Sequence, residues 1–236
     1  MRRLRTRSPT LLIPGGPIVF PDPEDVDDEG LLAVGGDLSP ERLLAAYEQG
    51  IFPWYDDGVP PLWWSPNPRM VIEKGAVHVS RSLRRVLTHG RFEVTWNRTF
   101  ERVMRECGEG RGGTWILPEM VEAYVELHRL GHAHSIEVWE NSELVGGLYG
   151  VQRGALFAAE SMFHRRTDAS KVALVHAAKS VFAAGVTVFD VQLWTPHLES
   201  MGAAEIPRSE YLKRVRLAAA VRVDLTSPDL RYQPGP

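Results

Sequence analysis

Two polar residues stand where an apolar strand has little room for them. Val186 to Leu193 reads as a buried strand, and its two-residue alternation puts Val186, Val188, Asp190 and Gln192 on one face and Thr187, Phe189, Val191 and Leu193 on the other. An uncompensated carboxylate there costs several kcal/mol, so Asp190 needs a hydrogen-bond partner, and Gln192 lies about 7 Å further along the same face. A fixed carboxylate–amide pair can orient a substrate amine or donate to a developing oxyanion; it can equally be a buried pair that holds two elements together. Glu160 falls in a second strand-like run, where a carboxylate can receive an ammonium or a basic side chain, or act as a structural partner.

Other chemistry-bearing residues are weaker signals. The chain has seven tryptophans, so several must be core, but Trp54 and Trp115 sit beside loop signals rather than in a periodic apolar stripe. Arg81, Arg84 and Arg85 share one helix face with Arg91 close behind, a pattern that fits phosphate contacts and also fits a solvated face. His132 and His134 flank an alanine with no third ligand in sight, which argues against a metal site. Cys107 lacks a histidine partner motif and reads as a packed helix residue. Gly146, Gly147 and Gly150 match neither a P-loop nor a dinucleotide fingerprint and read as strand bends or points of close ligand approach. The missing pyrophosphate loop also speaks against an acyl-CoA acyltransferase.

The elements that must position these residues come from an ordinary globular composition. Of 236 residues, 44% are hydrophobic and 24% charged, enough to bury a core without metal or disulfide staples. No apolar run approaches the roughly 18 residues of a membrane span, there is no secretory core, and the single cysteine suits a reducing cytoplasm, so the expectation is a soluble, cytoplasmic protein with an arginine-rich solvated arm at its start. Net charge is −3, yet residues 1 to 70 carry six basic and eleven acidic side chains, a balance of −5, whereas residues 71 to 115 carry nine and five, a balance of +4. A polyanion should therefore touch the middle segment.

Asp37 or Ser39, Pro40 and Gly50 bracket a first helix with Leu43, Leu44 and Tyr47 as its apolar stripe. A proline-punctuated stretch from Pro60 to Arg69 cannot be one regular element and marks a seam, giving a small N-terminal domain over 1–70 and a second domain over 71–236. The second is expected to hold strands at Val71 to Ile72 and around His78, a helix capped by Ser80, helices from Arg98 to Cys107 and from Pro118 to Leu130, and a three-stranded meander from Ser135 to Phe163. A helix from Asp168 to Gly185, the Asp190 strand and a last helix with Tyr211, Val215 and Ala218 inward complete it. This is a mixed α/β (α+β) fold.

Nine blocks in this order carry a family resemblance: Gly30-Leu-Leu-Ala-Val-Gly-Gly-Asp-Leu-Ser-Pro40, Gly50-Ile-Phe-Pro-Trp54, Leu62-Trp-Trp-Ser-Pro66, Gly113-Thr-Trp-Ile116, Gly131-His-Ala-His-Ser-Ile-Glu137, Leu144-Val-Gly-Gly-Leu-Tyr-Gly150, Glu160-Ser-Met-Phe163, Ala169-Ser-Lys171 and Asp190-Val-Gln192. The chain resembles the bacterial leucyl/phenylalanyl-tRNA–protein transferases over about positions 18 to 212. The resemblance implies a GCN5-type acyltransferase-like C-terminal domain and transfer of Leu or Phe, less readily Met, from aminoacyl-tRNA to the N-terminal Arg or Lys of acceptor proteins. It further implies marking of those proteins for N-end rule degradation, by a monomer that needs no cofactor. It also implies that Asp190 hydrogen-bonds Gln192, that Gln192 draws a proton from the attacking amine, that Trp54 and Trp115 flank the terminal adenosine, and that Tyr47 helps line that entrance. On this view Leu148, Phe157 and Met162 form the aminoacyl pocket, and some relatives carry methionine where this chain has Leu148; Arg81, Arg84, Arg85 and Arg91 meet acceptor-stem phosphates. The ester is already activated, so positioning and proton management are what remain. The rival readings are an acyl-CoA or cell-wall aminoacyltransferase and a non-catalytic RNA-binding module, in which Asp190 and Gln192 have no role.

Overall fold

The computed structural model describes residues 8–109, 116–226 and 229. A four-stranded sheet comes first, in the order β1-β2-β4-β3, from β1 (Thr10–Leu12), β2 (Leu31–Gly35), β3 (Phe52–Pro53) and β4 (Leu62–Trp64). Helix α1 (Pro40–Glu48) joins β2 to β3. Pro40 opens it as expected, and Gly50 closes it in the left-handed region at φ +73°. Asp37 is not the cap itself; its carboxylate accepts from the Ser39 amide and hydroxyl and from Arg42.

The remaining strands build a seven-stranded sheet in the order β11-β5-β10-β9-β8-β7-β6. They are β5 (Arg69–Ile72), β6 (Glu93–Trp96), β7 (Ala133–Glu140), β8 (Glu143–Arg153), β9 (Leu156–His164), β10 (Val188–Gln192) and β11 (Ala203–Ile206). β7 to β9 are the expected antiparallel meander, turning through Asn141 and Ser142 at positive φ. Within this sheet, among the described residues, only β9 and β10 run parallel, and α5 (Ala169–Ala184) supplies the crossover that a parallel pair requires. Gly146 lets this helix come close: a Cβ there would sit 2.6 Å from the Ala169 methyl.

Helices α2 (Arg81–Thr88), α3 (Phe100–Gly108), α4 (Pro118–Arg129) and α7 (Arg208–Ala219) fall where their periodicity and caps put them, with the Ser80 hydroxyl accepting from the Leu83 amide. The segment around His78 is not a strand. It is irregular chain tied to the turn after the short helix α6 (Pro196–Ser200), with the His78 amide donating to the Met201 carbonyl. The strand containing Asp190 is shorter than its apolar run, because Val186 and Thr187 leave α5 before pairing begins.

Burial on both faces explains why β7 and β8 are almost wholly enclosed. On one face α2 and α5 pack with Ile136, Val138, Leu148 and Phe189. On the other, α1, α3, α4 and the N-terminal sheet share one apolar cluster with Tyr149, Val151 and Ala158. The seam expected at residue 70 falls just inside β5; the chain passes from one sheet to the other over residues 65–68, between β4 and β5, while the two sheets share this core. Among the described residues no helix is long and apolar enough to cross a membrane.

Arg208, at the start of α7, fastens the two parts. Its buried guanidinium donates to the carbonyls of Val26, Asp27 and Ser65, at 2.7 Å each. Arg208→Met leaves one buried and two half-buried acceptors without their charged donor and will cost about 3 kcal/mol. Calorimetry should show the melting temperature falling by roughly 6–12 °C for a chain of this size.

Candidate active site

Asp190 is fully buried, and its compensating charge comes from Arg69, 121 residues earlier, at the start of β5. The guanidinium binds the carboxylate in two-pronged fashion, Nε to Oδ1 at 2.9 Å and Nη2 to Oδ2 at 2.6 Å. The Tyr211 hydroxyl, from α7, donates to Oδ2 at 2.8 Å, and the Gly50 carbonyl accepts from Arg69 Nη1. Phe52 and Tyr211 sandwich the guanidinium at 4.7 and 4.5 Å from their ring centroids. Burial alone would lower the Arg69 pKa, but the Asp190 charge holds it above its ordinary value.

The fourth donor to Asp190 is the backbone N–H of Gln192, at 2.9 Å to Oδ1. The expected contact between the Asp190 and Gln192 side chains is therefore replaced by one to backbone. The reason is a register shift between these residues that breaks the alternation. Gln192 sits at φ +56°, a left-handed conformation that costs a non-glycine residue roughly 1–3 kcal/mol, and the Leu193 amide folds back onto the Val191 carbonyl. Asp190 holds that turn. Its result is that the Gln192 side chain reaches β9, where Nε2 donates to Glu160 Oε1 at 3.0 Å.

Glu160 is in turn backed by the Tyr47 hydroxyl of α1, which lies 2.6 Å from the Tyr124 hydroxyl of α4. Burial pushes the Glu160 carboxyl up to about 8; the Tyr47 hydrogen bond pulls it down, the Asp190 charge adds to the rise, and Arg69 opposes it. Glu160 and Gln192 form part of the wall of a cavity of about 520 Å³, with Phe52 and Trp54 on one side and Ser161, Met162, Val191, Thr195, His197 and Leu198 around the rest.

Several expected site residues lie elsewhere. Leu148 and Phe157 are fully buried in the core beneath α5 and do not line the cavity; Leu148 pairs with Met162 across the β8–β9 ladder, and Phe157 packs on Trp96 and Phe189. Tyr47 is not at an entrance but buried behind Glu160. Trp54 is 42% exposed at the rim, its ring 6.1 Å from that of Trp64, whose indole N–H donates to the Trp54 carbonyl. Trp115 lies outside the described residues. Arg81, Arg84 and Arg85 are exposed on α2, whereas Arg91 is ion-paired with Glu140 at 2.8 Å and stacked on Phe92.

His134 is a core residue: it lies between Asn97 and Gln152, stacks on Trp96, and burial holds its pKa down at about 4. Among the described residues no group of three or more His, Cys, Asp or Glu could hold a metal, and Cys107 is buried in α3. Sequence reasoning missed Arg69, Tyr124 and Tyr211. Arg69 carried the signal that exposed Asp190, a charge at the edge of the apolar run Met70-Val-Ile72, whereas the tyrosines looked like ordinary stripe residues.

The Glu160 carboxyl is raised above its unfolded value of 4.5, so folding favours its neutral form. That contribution is whole below about pH 4.5 and is lost as pH rises through about 8. In paired thermal melts, Glu160→Gln should therefore gain melting temperature relative to the natural chain progressively between pH 5 and 8.5. A difference that stays flat across this range would show that Glu160 ionises normally.

Comparison with known proteins identifies a family for the chain. The model of the leucyl/phenylalanyl-tRNA protein transferase family matches residues 71–216, and that of the family's N-terminal domain matches residues 36–67. A leucyl/phenylalanyl-tRNA–protein transferase of Anaeromyxobacter sp. (strain Fw109-5) is 55% identical over 202 residues, 84% of this chain and 86% of the relative. One of Syntrophobacter fumaroxidans is 55% identical over 199 residues, 83% and 85% of the two chains. Among solved structures, a GCN5-related N-acetyltransferase from Kribbella flavida overlaps 72% of this chain and 61% of its own, with 11% identity and a TM-score of 0.39. With family matches over both parts of the chain and more than half of the aligned residues shared with these relatives, the chain belongs to the leucyl/phenylalanyl-tRNA–protein transferase family.

Proposed function

We propose that this chain transfers leucine or phenylalanine, and less readily methionine, from aminoacyl-tRNA to the N-terminal Arg or Lys of acceptor proteins. The new peptide bond would mark those proteins for N-end rule degradation. The observation that carries this reading is the Gln192–Glu160 pair on the wall of a cavity whose rim offers an exposed tryptophan.

The reaction is aminolysis of an ester already activated on tRNA, so the energy for peptide-bond formation arrives with the donor. The protein must hold two substrates in line and manage a proton. Trp54 offers a face on which the terminal adenine can stack, worth about 1–3 kcal/mol. Met162, Val191 and Leu198 supply an apolar wall for an unbranched-β side chain. Leu148 acts one layer back, by setting where Met162 stands. Gln192, held in its turn by Asp190, orients the amine or donates to the developing oxyanion. Glu160 receives the acceptor's positive charge. The exposed arginines of α2 meet acceptor-stem phosphates, which add affinity and no sequence information. In this reading the chain acts as a monomer in the cytoplasm.

Radiolabelled leucine presented on leucyl-tRNA, in buffer without ATP, acyl-CoA or metal, should move to a peptide beginning with Arg and not to one beginning with Gly. Transfer to neither, by folded protein that binds the tRNA, would overturn the reading in favour of an RNA-binding module. Arg84→Glu with Arg85→Glu should weaken leucyl-tRNA binding most at low salt and make the slope of log Kd against log salt shallower by about 1–2. An unchanged slope would remove α2 from the interface.

A further inference from the structure

The cavity wall carries two titratable side chains among the described residues, Glu160 and His197. Asp190 stands behind the wall with both oxygens filled by four donors, so it has no lone pair to offer a substrate proton. Gln192 has its amide nitrogen committed to Glu160, and an amide oxygen is too weak a base to take a proton near neutral pH. His197 has its Nε2 buried without a partner, and Glu160 rather than His197 is the group bonded to Gln192.

Resting on the transferase reading, we propose that Glu160 is the catalytic base, taking the proton from the attacking amine and returning it to the leaving oxygen, with Gln192 as its positioning residue. The amine nitrogen forms a bond to the ester carbonyl carbon as its N–H proton passes to a Glu160 oxygen. When the bond from that carbon to the ribose oxygen breaks, the same proton goes to the departing oxygen. The products are a peptide bond and a tRNA hydroxyl, and Glu160 is ionised again, so the cycle closes without a co-reactant.

The groups that face Glu160 are arranged for this exchange. Asp190 of β10 and Arg69 of β5 bear on it from one side, Tyr47 of α1 with Tyr124 of α4 behind it from another, and His197 of α6 shares the cavity. A protein α-amino group titrates at about 7.7–8.0, close to the value of about 8 to which burial brings Glu160, so near pH 8 a useful fraction of encounters pairs a neutral amine with an ionised Glu160, the two states the step needs.

The test measures kcat/KM against pH for leucine transfer to an N-terminal Arg peptide, using the natural chain, Glu160→Gln, Glu160→Asp and His197→Gln. Below pH 7 the natural chain must lose a proton from both the amine and Glu160, so in Glu160→Gln the acid limb of log kcat/KM should be shallower by one unit of slope. At pH 8.5 this variant should be slower by roughly 100- to 10,000-fold. Glu160→Asp should keep the natural slope at reduced rate, and leucyl-tRNA binding by Glu160→Gln should be unchanged, which separates chemistry from misfolding. A natural slope in Glu160→Gln, activity within threefold at pH 8.5, or loss of one unit of slope in His197→Gln instead would overturn the assignment. Failure of the natural chain to transfer leucine at any pH would strike at the transferase reading, which the variants do not test.

Discussion

The ion pair between Arg69 and Asp190 is the constraint on which the rest of the site depends. Taking both charges out of water costs several kcal/mol per ion, and such pairs seldom outperform an apolar replacement in net stability. Their value here is geometric. A two-pronged guanidinium fixes the carboxylate's plane, Tyr211 fills what remains of one oxygen, and the other oxygen is left aimed at the Gln192 amide. The same guanidinium stacks on Phe52 and reaches the Gly50 carbonyl, so the pair ties the strand that bears Gln192 to the segment that leads to Trp54. Two walls of the cavity are thereby set by one cation.

The strained turn at Gln192 follows from this. A regular strand would keep Gln192 in the ladder with its side chain two residues from Asp190 on one face. The register shift leaves Val191 as the unpaired residue and Gln192 opposite Met70, the positive φ turns Gln192 off the Asp190 face, and the cost is tolerated because the Asp190 carboxylate accepts from the Gln192 amide. What is gained is a primary amide turned toward Glu160, on a strand that runs parallel to its own. The parallel pair exists only because α5 crosses over between β9 and β10, and its close seat against Gly146 brings that helix down onto the sheet.

Much of this scaffold was legible in the sequence. Caps and glycine stops marked α1, α2 and α4, alternation marked the meander, and a long apolar helix before an apolar strand marked α5 and β10, though not that the pair is a crossover. Asp190 was legible as an anomaly. Its partner was not, because a residue 121 positions away is brought near by sheet topology and no local rule encodes β5 beside β10. The depth of Leu148 and Phe157 was hidden for a related reason: both are apolar residues on strands that border the cavity, but depth beneath α5 is set by which sheet face each occupies. The short pieces α6 and β11 lacked enough periods to announce themselves, and the irregular segment at His78 borrowed a strand-like pattern while bonding to a turn.

The two carboxylates of the site divide their labour through the one cation between them. Arg69 gives its strongest bonds to Asp190, at 2.6 and 2.9 Å, so Glu160 is left with neutral hydrogen-bond partners, an amide and a phenol. Asp190 also repels any charge on Glu160, and burial acts in the same direction. Paired titratable groups driven apart by their surroundings are the usual basis for separate acid–base roles. Here the paired carboxylate builds the frame and the one facing the cavity lacks a countercharge. On the proposed reading, the cationic side chain of an acceptor's N-terminal arginine or lysine entering the cavity would supply that missing charge, so that binding itself would favour the ionised form of Glu160.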